Sequence, residues 1–361
     1  MPSVVLAAPG PLETSTGGYI YDLRIVDGLR RRGWLVQVLE LDTSFPYPTP
    51  NALQHAERVL AAVDGGSVVI VDSLALGAMP EIIVCEASRL RLVALVHQPL
   101  AAAIGLDAST AARFEEGERR ALGAAALVVV TGKAAVPLIA KYGIEPNRVV
   151  IVEPGTDPAP LARGSRVTAD NGPARTLELL TVATLNQGKG HELMLTALGA
   201  TLDVPWRLTC AGSLTRDAAT AGRVRAKIAS LRMGDRVSLV GDLDRSALAS
   251  AYDRADLFVL ATQQETYGMA VAEALAHGLP VVSTMAGAIP DLVGDDAGLI
   301  VPVGDVLAFT DALSRVLRDD HLRATLAEGA RRRRDLLPTW DDACTRMAAA
   351  LVPISHLDTR G

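Results

Sequence analysis

Cysteine is scarce in this chain. Cys85, Cys210 and Cys344 are spread over 361 residues with no C-x-x-C spacing, so neither a disulfide framework nor a zinc site is suggested, and they read as reduced core residues of a cytoplasmic protein. Positive charge is not in excess either. Against 41 Asp and Glu there are 35 Lys and Arg, for a net charge of −6, which argues against nucleic acid as the main partner and gives no general attraction to an anionic membrane. No run approaches the roughly 18 uninterrupted apolar residues of a membrane helix, and Met1-Pro2-Ser3 leads into Val4-Val5-Leu6-Ala7-Ala8 with no basic region before it. Neither a span nor an export signal is expected, while peripheral contact with a membrane stays open. The expected partner is a small molecule.

Two nucleotide signatures are missing as well. The segment from Gly10 to Gly18 lacks G-x-G-x-x-G, which discounts a nicotinamide cofactor. Asn186-Gln187-Gly188-Lys189-Gly190 lacks both the first glycine and the Lys-Ser/Thr ending of a Walker loop.

What the chain does have is alternation. Short β-branched runs near Val4–Ala8, Leu35–Leu39, Val68–Val71, Leu92–Val96, Leu127–Val130 and Val149–Val152 are separated by turns and helix-length amphipathic segments. The pattern restarts with Leu177–Thr181, Leu208–Ala211, Val237–Val240, Leu257–Leu260, Val281–Ser283 and Leu299–Val301. This is the pattern of parallel sheets covered by helices on both faces, so the class is α/β. The length allows two cores, and the breaker-rich stretch from Pro154 to Arg175 marks a boundary. The reading is two Rossmann-like, doubly wound domains facing a cleft, 1–160 and 177–338, with a linker at 161–176 and a terminal helix at 339–361 packing back toward the first domain. The run Arg331-Arg332-Arg333-Arg334 reads as a solvated helix end.

In open α/β sheets ligands sit outside the carboxyl ends of the strands, so the loops after strands hold the candidates. Gly17-Gly18 follow the first strand and open the first long helix, where glycine lets backbone approach a ligand. His97 falls just after Leu92–Val96. Lys189, flanked by glycines before a helix that begins near His191, suits phosphate. The apolar helical run from Gly268 to Ala276 holds one carboxylate, Glu273, eight residues after Glu265. A charge buried without a partner costs several kcal/mol, so Glu273 must meet a protein donor or a ligand hydroxyl. Between the two acids lie the first N–H groups of the helix, a place for phosphate. A sugar, a phosphate and a ribose gripped in succession make a nucleotide-sugar; the alternative is Glu273 paired with an arginine and Glu265 a solvated loop residue.

Thr181-Val182-Ala183-Thr184-Leu185 with Lys189-Gly190, Ala255 through Leu260, Glu265 through Glu273, Gly278-Leu279-Pro280-Val281-Val282-Ser283, Gly287 through Val293 and Gly298 through Asp305 resemble the family 4 retaining glycosyltransferases of GT-B fold. In the first half only Gly17-Gly18, His97 and Pro154-Gly155-Thr156-Asp157 share the likeness, which suits an acceptor-binding domain. The resemblance implies a nucleotide diphosphate sugar as donor, a UDP-sugar ahead of a GDP-sugar, and a small soluble or glycoside acceptor. It implies that His97, Lys189 and Glu265 are catalytic: His97 touching the donor sugar, Glu265 contacting the transferred sugar near the reacting face, Lys189 stabilising the departing diphosphate. It further implies that Gly17, Gly18, Thr184, Lys189, Thr266, Tyr267, Gly268, Met269 and Glu273 bind the donor, Glu273 through the ribose. No metal or other cofactor is implied, because a helix dipole and a lysine supply the positive field. Two departures stand out. The family usually carries arginine at Thr184, with Arg216 or Arg245 as stand-ins here, and commonly has glycine and phenylalanine where this chain has Thr266-Tyr267. The rival readings are a GT-B phosphorylase or sugar-nucleotide epimerase, and a nucleotide-sugar-binding subunit without turnover.

Overall fold

The computed structural model describes residues 1–12, 16–165 and 175–355. The β-branched runs form β1 (Ser3–Pro9), β2 (Leu35–Leu41), β3 (Val68–Asp72), β4 (Arg91–Val96), β5 (Leu127–Val130), β6 (Val149–Ile151), β7 (Leu177–Val182), β8 (Trp206–Ala211), β9 (Val237–Gly241), β10 (Leu257–Leu260), β11 (Val281–Thr284) and β12 (Gly298–Val301). They pair in parallel, in two six-stranded sheets ordered β2-β1-β3-β4-β5-β6 and β12-β11-β10-β7-β8-β9. Interior strands such as β3, β5, β10 and β11 are buried at every residue, whereas the edge strands β2 and β9 alternate with exposed positions. That difference is why the interior strands read as continuous apolar runs.

The first unit comprises Met1–Gly155 and the segment that begins at Pro338; the second is Thr156–Leu337. In the second unit the two-residue period of a strand sends Leu179, Val259 and Val282 into one core layer, with Leu195, Trp206 and Phe309, and sends Leu180, Phe258 and Val281 into another, with Tyr252, Leu275 and Ile289. Truncating a fully buried Phe258 or Phe309 to alanine costs about 3–5 kcal/mol by cavity formation. In the first unit the core is gathered around Val5, Ala7, Leu60, Val69, Ile83, Leu92 and Val128.

The helix Trp340–Ser355 packs on the helix Gly17–Arg31 within the first unit. Gly28 permits the approach: a Cβ there would lie 2.0 Å from Cys344 Sγ. Arg32 fastens the pair, donating to Asp341 Oδ1 at 2.6 Å and to Thr345 Oγ1 at 2.8 Å. Of the stretch read as a linker, residues 161–165 are bonded to the second unit, with Ala162 N–H donating to His277 O at 2.8 Å and Ser165 N–H to Asp256 Oδ1 at 3.1 Å; residues 166–174 lie outside the described residues.

Two local expectations need correction. Cys210 and Cys344 are buried, but Cys85 is exposed, because Ile83 takes the inward face of the short helix Pro80–Glu86. The four-arginine run is not simply solvated: Arg333 donates to Val293 O at 3.2 Å and Asp291 O at 2.9 Å, both in the short helix Ile289–Val293, and Arg334 donates to the loop carbonyl of Ala159 at 2.6 Å, tying these carbonyls to the helix Asp320–Arg334.

Candidate active site

In the second sheet the strand order reverses between β7 and β10. The loops leaving these neighbouring strands, 183–190 and 261–268, therefore lie at the topological switch point, the place where such sheets bind ligands. Hydrogen bonds stitch the two loops together. Gln263 N–H and Thr262 Oγ1 donate to Gly188 O at 2.7 and 3.2 Å, and Gln263 Nε2 donates to Gln187 O at 3.1 Å. Asn186 caps the short turn by accepting from Lys189 N–H, and Gly190 follows in the left-handed region at φ +67°. Only glycine fits there, since a Cβ would stand 1.9 Å from Ala261 O.

The stitching brings Lys189 Nζ and Glu265 into a direct ion pair, with side chains 27% and 14% exposed. Past Glu265, Thr266 is half-buried, Tyr267 is buried, and Gly268 turns the chain at φ +99° into the helix Met269–Ala276 with no side-chain cap on its first N–H groups. Glu273 is half-buried. Its Oε2 accepts from the Tyr252 hydroxyl at 2.9 Å, and the Tyr252 ring stacks on His277 at 4.9 Å and 10°. Thr184 is half-buried on the loop after β7.

His191 was not singled out from the sequence as a site residue. It starts the helix His191–Gly199, is 2% exposed, and both ring nitrogens lack a hydrogen-bond partner among the described residues. Burial, aided by the nearby Lys189 charge, pulls its pKa down to about 4. It is a neutral imidazole beneath the lysine loop; its place directly after Gly190 was the only signal.

In the first sheet the reversal lies between β1 and β3. Gly17 and Gly18 open the helix after β1, Asp72 ends β3, and His97 follows β4. His97 Nε2 lies 3.0 Å from Asp22 Oδ1 and 3.3 Å from Asp72 Oδ2. Gly18 backs onto the same ring, where an added Cβ would be 3.3 Å from His97 Cδ2, and Tyr21 meets it edge-on at 5.3 Å. Burial opposes the charged imidazole, but the Asp22 carboxylate, by charge and hydrogen bond, and then Asp72 override it and hold the His97 pKa well above the usual histidine range. Burial raises Asp22 in turn, with the His97 charge restraining the rise. One ligand atom from each of these three side chains lies within 4.8 Å of the other two. Asp22 and Asp72 were missed in the sequence, where one is an acid on an amphipathic helix and the other the last residue of an apolar strand.

A cavity in the first unit lined by Ser3, Leu35, Val59 and Val68 lies at the amino ends of β1 to β3 and contains none of these residues. Among the described residues, no helix is long and apolar enough to cross a membrane.

Residues 170–333 match the family model described as glycosyl transferases group 1. A D-inositol 3-phosphate glycosyltransferase of Xylanimonas cellulosilytica is 31% identical over 242 residues, 64% of this chain and 58% of that protein. One of Salinispora arenicola is 30% identical over 226 residues, 57% of this chain and 50% of its own length. The chain thus aligns with little more than half the length of these curated relatives. Among solved structures, sucrose-phosphate synthase from Thermosynechococcus elongatus superposes with a TM-score of 0.81 at 19% identity, covering 98% of this chain and 99% of that one. Anabaena HepE in complex with UDP and glucose superposes at 0.76 and 14% identity, over 98% and 100%. The fold is that of GT-B glycosyltransferases, and residues 170–333, a little under half of the chain, are similar to the glycosyl transferases of group 1.

Proposed function

We propose that this chain is a retaining glycosyltransferase that moves a sugar from a nucleotide diphosphate sugar, a UDP-sugar ahead of a GDP-sugar, to a small soluble acceptor. The observation that carries the reading is the Lys189–Glu265 pair at the switch point of the second sheet, followed at once by the uncapped helix start at Gly268 and Met269. A cation, free N–H groups and an acid in one crevice suit a diphosphate ester and the sugar attached to it. The relatives' name, with an inositol phosphate in it, supports a small soluble acceptor, and HepE with UDP-glucose supports the uridine donor.

In this reading Glu273 holds the ribose hydroxyls, with Tyr252 orienting its carboxylate. Gly268 and Met269 N–H groups and Lys189 stabilise the departing diphosphate. Thr266 and Tyr267 shape the loop that carries them, and Thr184 and the Gly17-Gly18 backbone contribute to the donor site. Glu265 contacts the transferred sugar near the reacting face, and His97 touches the donor sugar. Catalysis then rests on positioning and on charge placed where it develops, with the departing phosphate helping to deprotonate the acceptor on the same face. No step calls for a metal. Free cysteines suit a reduced, cytoplasmic setting.

The test is a thermal-shift panel of nucleoside diphosphates, followed by NMR of the anomeric product with the sugar-nucleotide that stabilises most. Stabilisation by UDP or GDP and a product of unchanged anomeric configuration are expected; no shift with any diphosphate would overturn the reading. A nucleotide-sugar-binding subunit without turnover is the second reading, favoured by Thr184, and binding with no transfer to any acceptor would select it. Dependence on inorganic phosphate, or epimer formation without acceptor, would select a phosphorylase or an epimerase.

A further inference from the structure

We propose that Arg216 is a second diphosphate-binding cation, paired in function with Lys189. The inference rests on the nucleotide-sugar reading above and deepens it. A nucleoside diphosphate brings more than one negative charge, and Lys189 is already half-committed to Glu265. The loops leaving the carboxyl ends of the second sheet contain few other cations. Residues 183–190 hold Lys189, residues 212–217 hold Arg216, and the helix after β9 begins with Arg245; residues 261–268, 285–288 and 302–305 contain no Lys, Arg or His.

Arg245 points elsewhere: it pairs with Asp157 at 3.2 Å and is 85% exposed. Arg216 is exposed and forms no ion pair among the described residues. Its neighbour Asp217 is already occupied as a helix cap, accepting from Thr220 N–H at 2.9 Å and Thr220 Oγ1 at 2.6 Å, so it does not neutralise the guanidinium.

The loop bearing Arg216 is pressed onto the loop bearing Lys189. Leu185 N–H donates to Ser213 O at 3.0 Å. At Gly212, with φ +139°, an added Cβ would lie 2.2 Å from Ala183 O and 2.9 Å from Thr184 N. Backbone contact that close holds the two loops side by side at the strand ends. The β8 loop that carries Arg216 and the β7 loop that carries Lys189 therefore lie side by side, with Thr184, whose own side chain is uncharged, at their contact. A planar guanidinium with several donors is matched to phosphate oxygens.

The experiment is calorimetric titration of UDP against UMP, and of GDP against GMP, into wild-type protein and the variants R216A, R216K and R245A. Wild type is expected to prefer the diphosphate. R216A should bind the diphosphate roughly tenfold or more weakly, as for a lost charge-assisted hydrogen bond, and the monophosphate within about twofold of wild type; R216K should recover part of the loss and R245A should match wild type. Melting temperatures of the variants, equal to wild type for so exposed a side chain, exclude unfolding as the cause. A wild-type protein with no preference for either diphosphate overturns the reading of the site, and this inference with it. A preference that survives intact in R216A, or is lost equally in R245A, overturns the inference alone.

Discussion

Lys189 and Glu265 are 76 residues apart in the chain and form an ion pair because β7 and β10, which carry their loops, are neighbours in the sheet. Neither side chain has to cross an element to reach the other. In the proposed function the pair sets up a competition: a diphosphate arriving at Lys189 would have to draw it from the carboxylate.

Glu265→Gln is therefore expected to tighten UDP binding several-fold while lowering transfer, because the lysine is released but the acid beside the sugar is gone. Lys189→Ala is expected to weaken diphosphate binding and to lower turnover roughly a hundredfold, the scale of losing one preorganised charge-stabilising donor. Calorimetry and initial rates separate the two effects. Weaker UDP binding in Glu265→Gln would show that the pair supports the ligand instead of competing with it.

Tyr252→Phe removes the hydroxyl that holds Glu273 and leaves the ring stacked on His277. Stability should fall by about 1 kcal/mol, as for a single hydrogen bond, and nucleoside affinity by a few-fold. Glu273→Ala should cost more affinity for UDP than for a 2′,3′-dideoxy analogue of UDP. Equal losses for both ligands would separate Glu273 from the ribose.

Asp22→Asn removes the first of the groups that raise His97, so the imidazole should titrate at lower pH, read directly from its ring proton shifts by NMR. A raised histidine contributes stability that is complete below its unfolded pKa of about 6.5 and is lost as the pH rises through its folded value. The alkaline loss of stability should accordingly be shallower in Asp22→Asn than in wild type. A ring titration that does not move would remove Asp22 from this role.

His191 predicts the opposite edge of the pH profile. Its folded pKa is pulled down to about 4, so below about pH 6.5 the unfolded chain binds a proton that the folded chain refuses, and stability falls until about pH 4. The shift, from 6.5 to about 4 at 1.36 kcal/mol per unit, corresponds to about 3 kcal/mol. His191→Leu should remove that part of the acid sensitivity in urea melts between pH 7 and 4. An unchanged pH slope would place the acid sensitivity on other groups.

Much of the fold was legible because its signal is local. Val68–Val71, Leu127–Val130 and Leu257–Leu260 read as interior strands since a strand buried on both faces needs apolar side chains at every position, and each lies within a residue of its place in the structure. Gly190 and Gly268 were marked by their type, and both occupy left-handed backbone where other residues are strained. His97 could be placed at a strand end, but nothing near it announced Asp22 or Asp72, which lie 75 and 25 residues upstream. Glu273 was expected to meet a donor or a ligand hydroxyl, but Tyr252, 21 residues upstream, was not legible as its donor, because an apolar run reports average burial and not which neighbour lies across from it.

The sequence by itself determined the alternation of strands and helices, and so the α/β class, because periodicity in side-chain polarity follows from backbone geometry within a few residues. The tertiary structure alone decided the order of strands within each sheet. That order set Lys189 beside Glu265, two buried aspartates on one imidazole, and the loop of Arg216 against the loop of Thr184. Such adjacencies depend on which cores pack together over long separations, and no local pattern of residues carries that information.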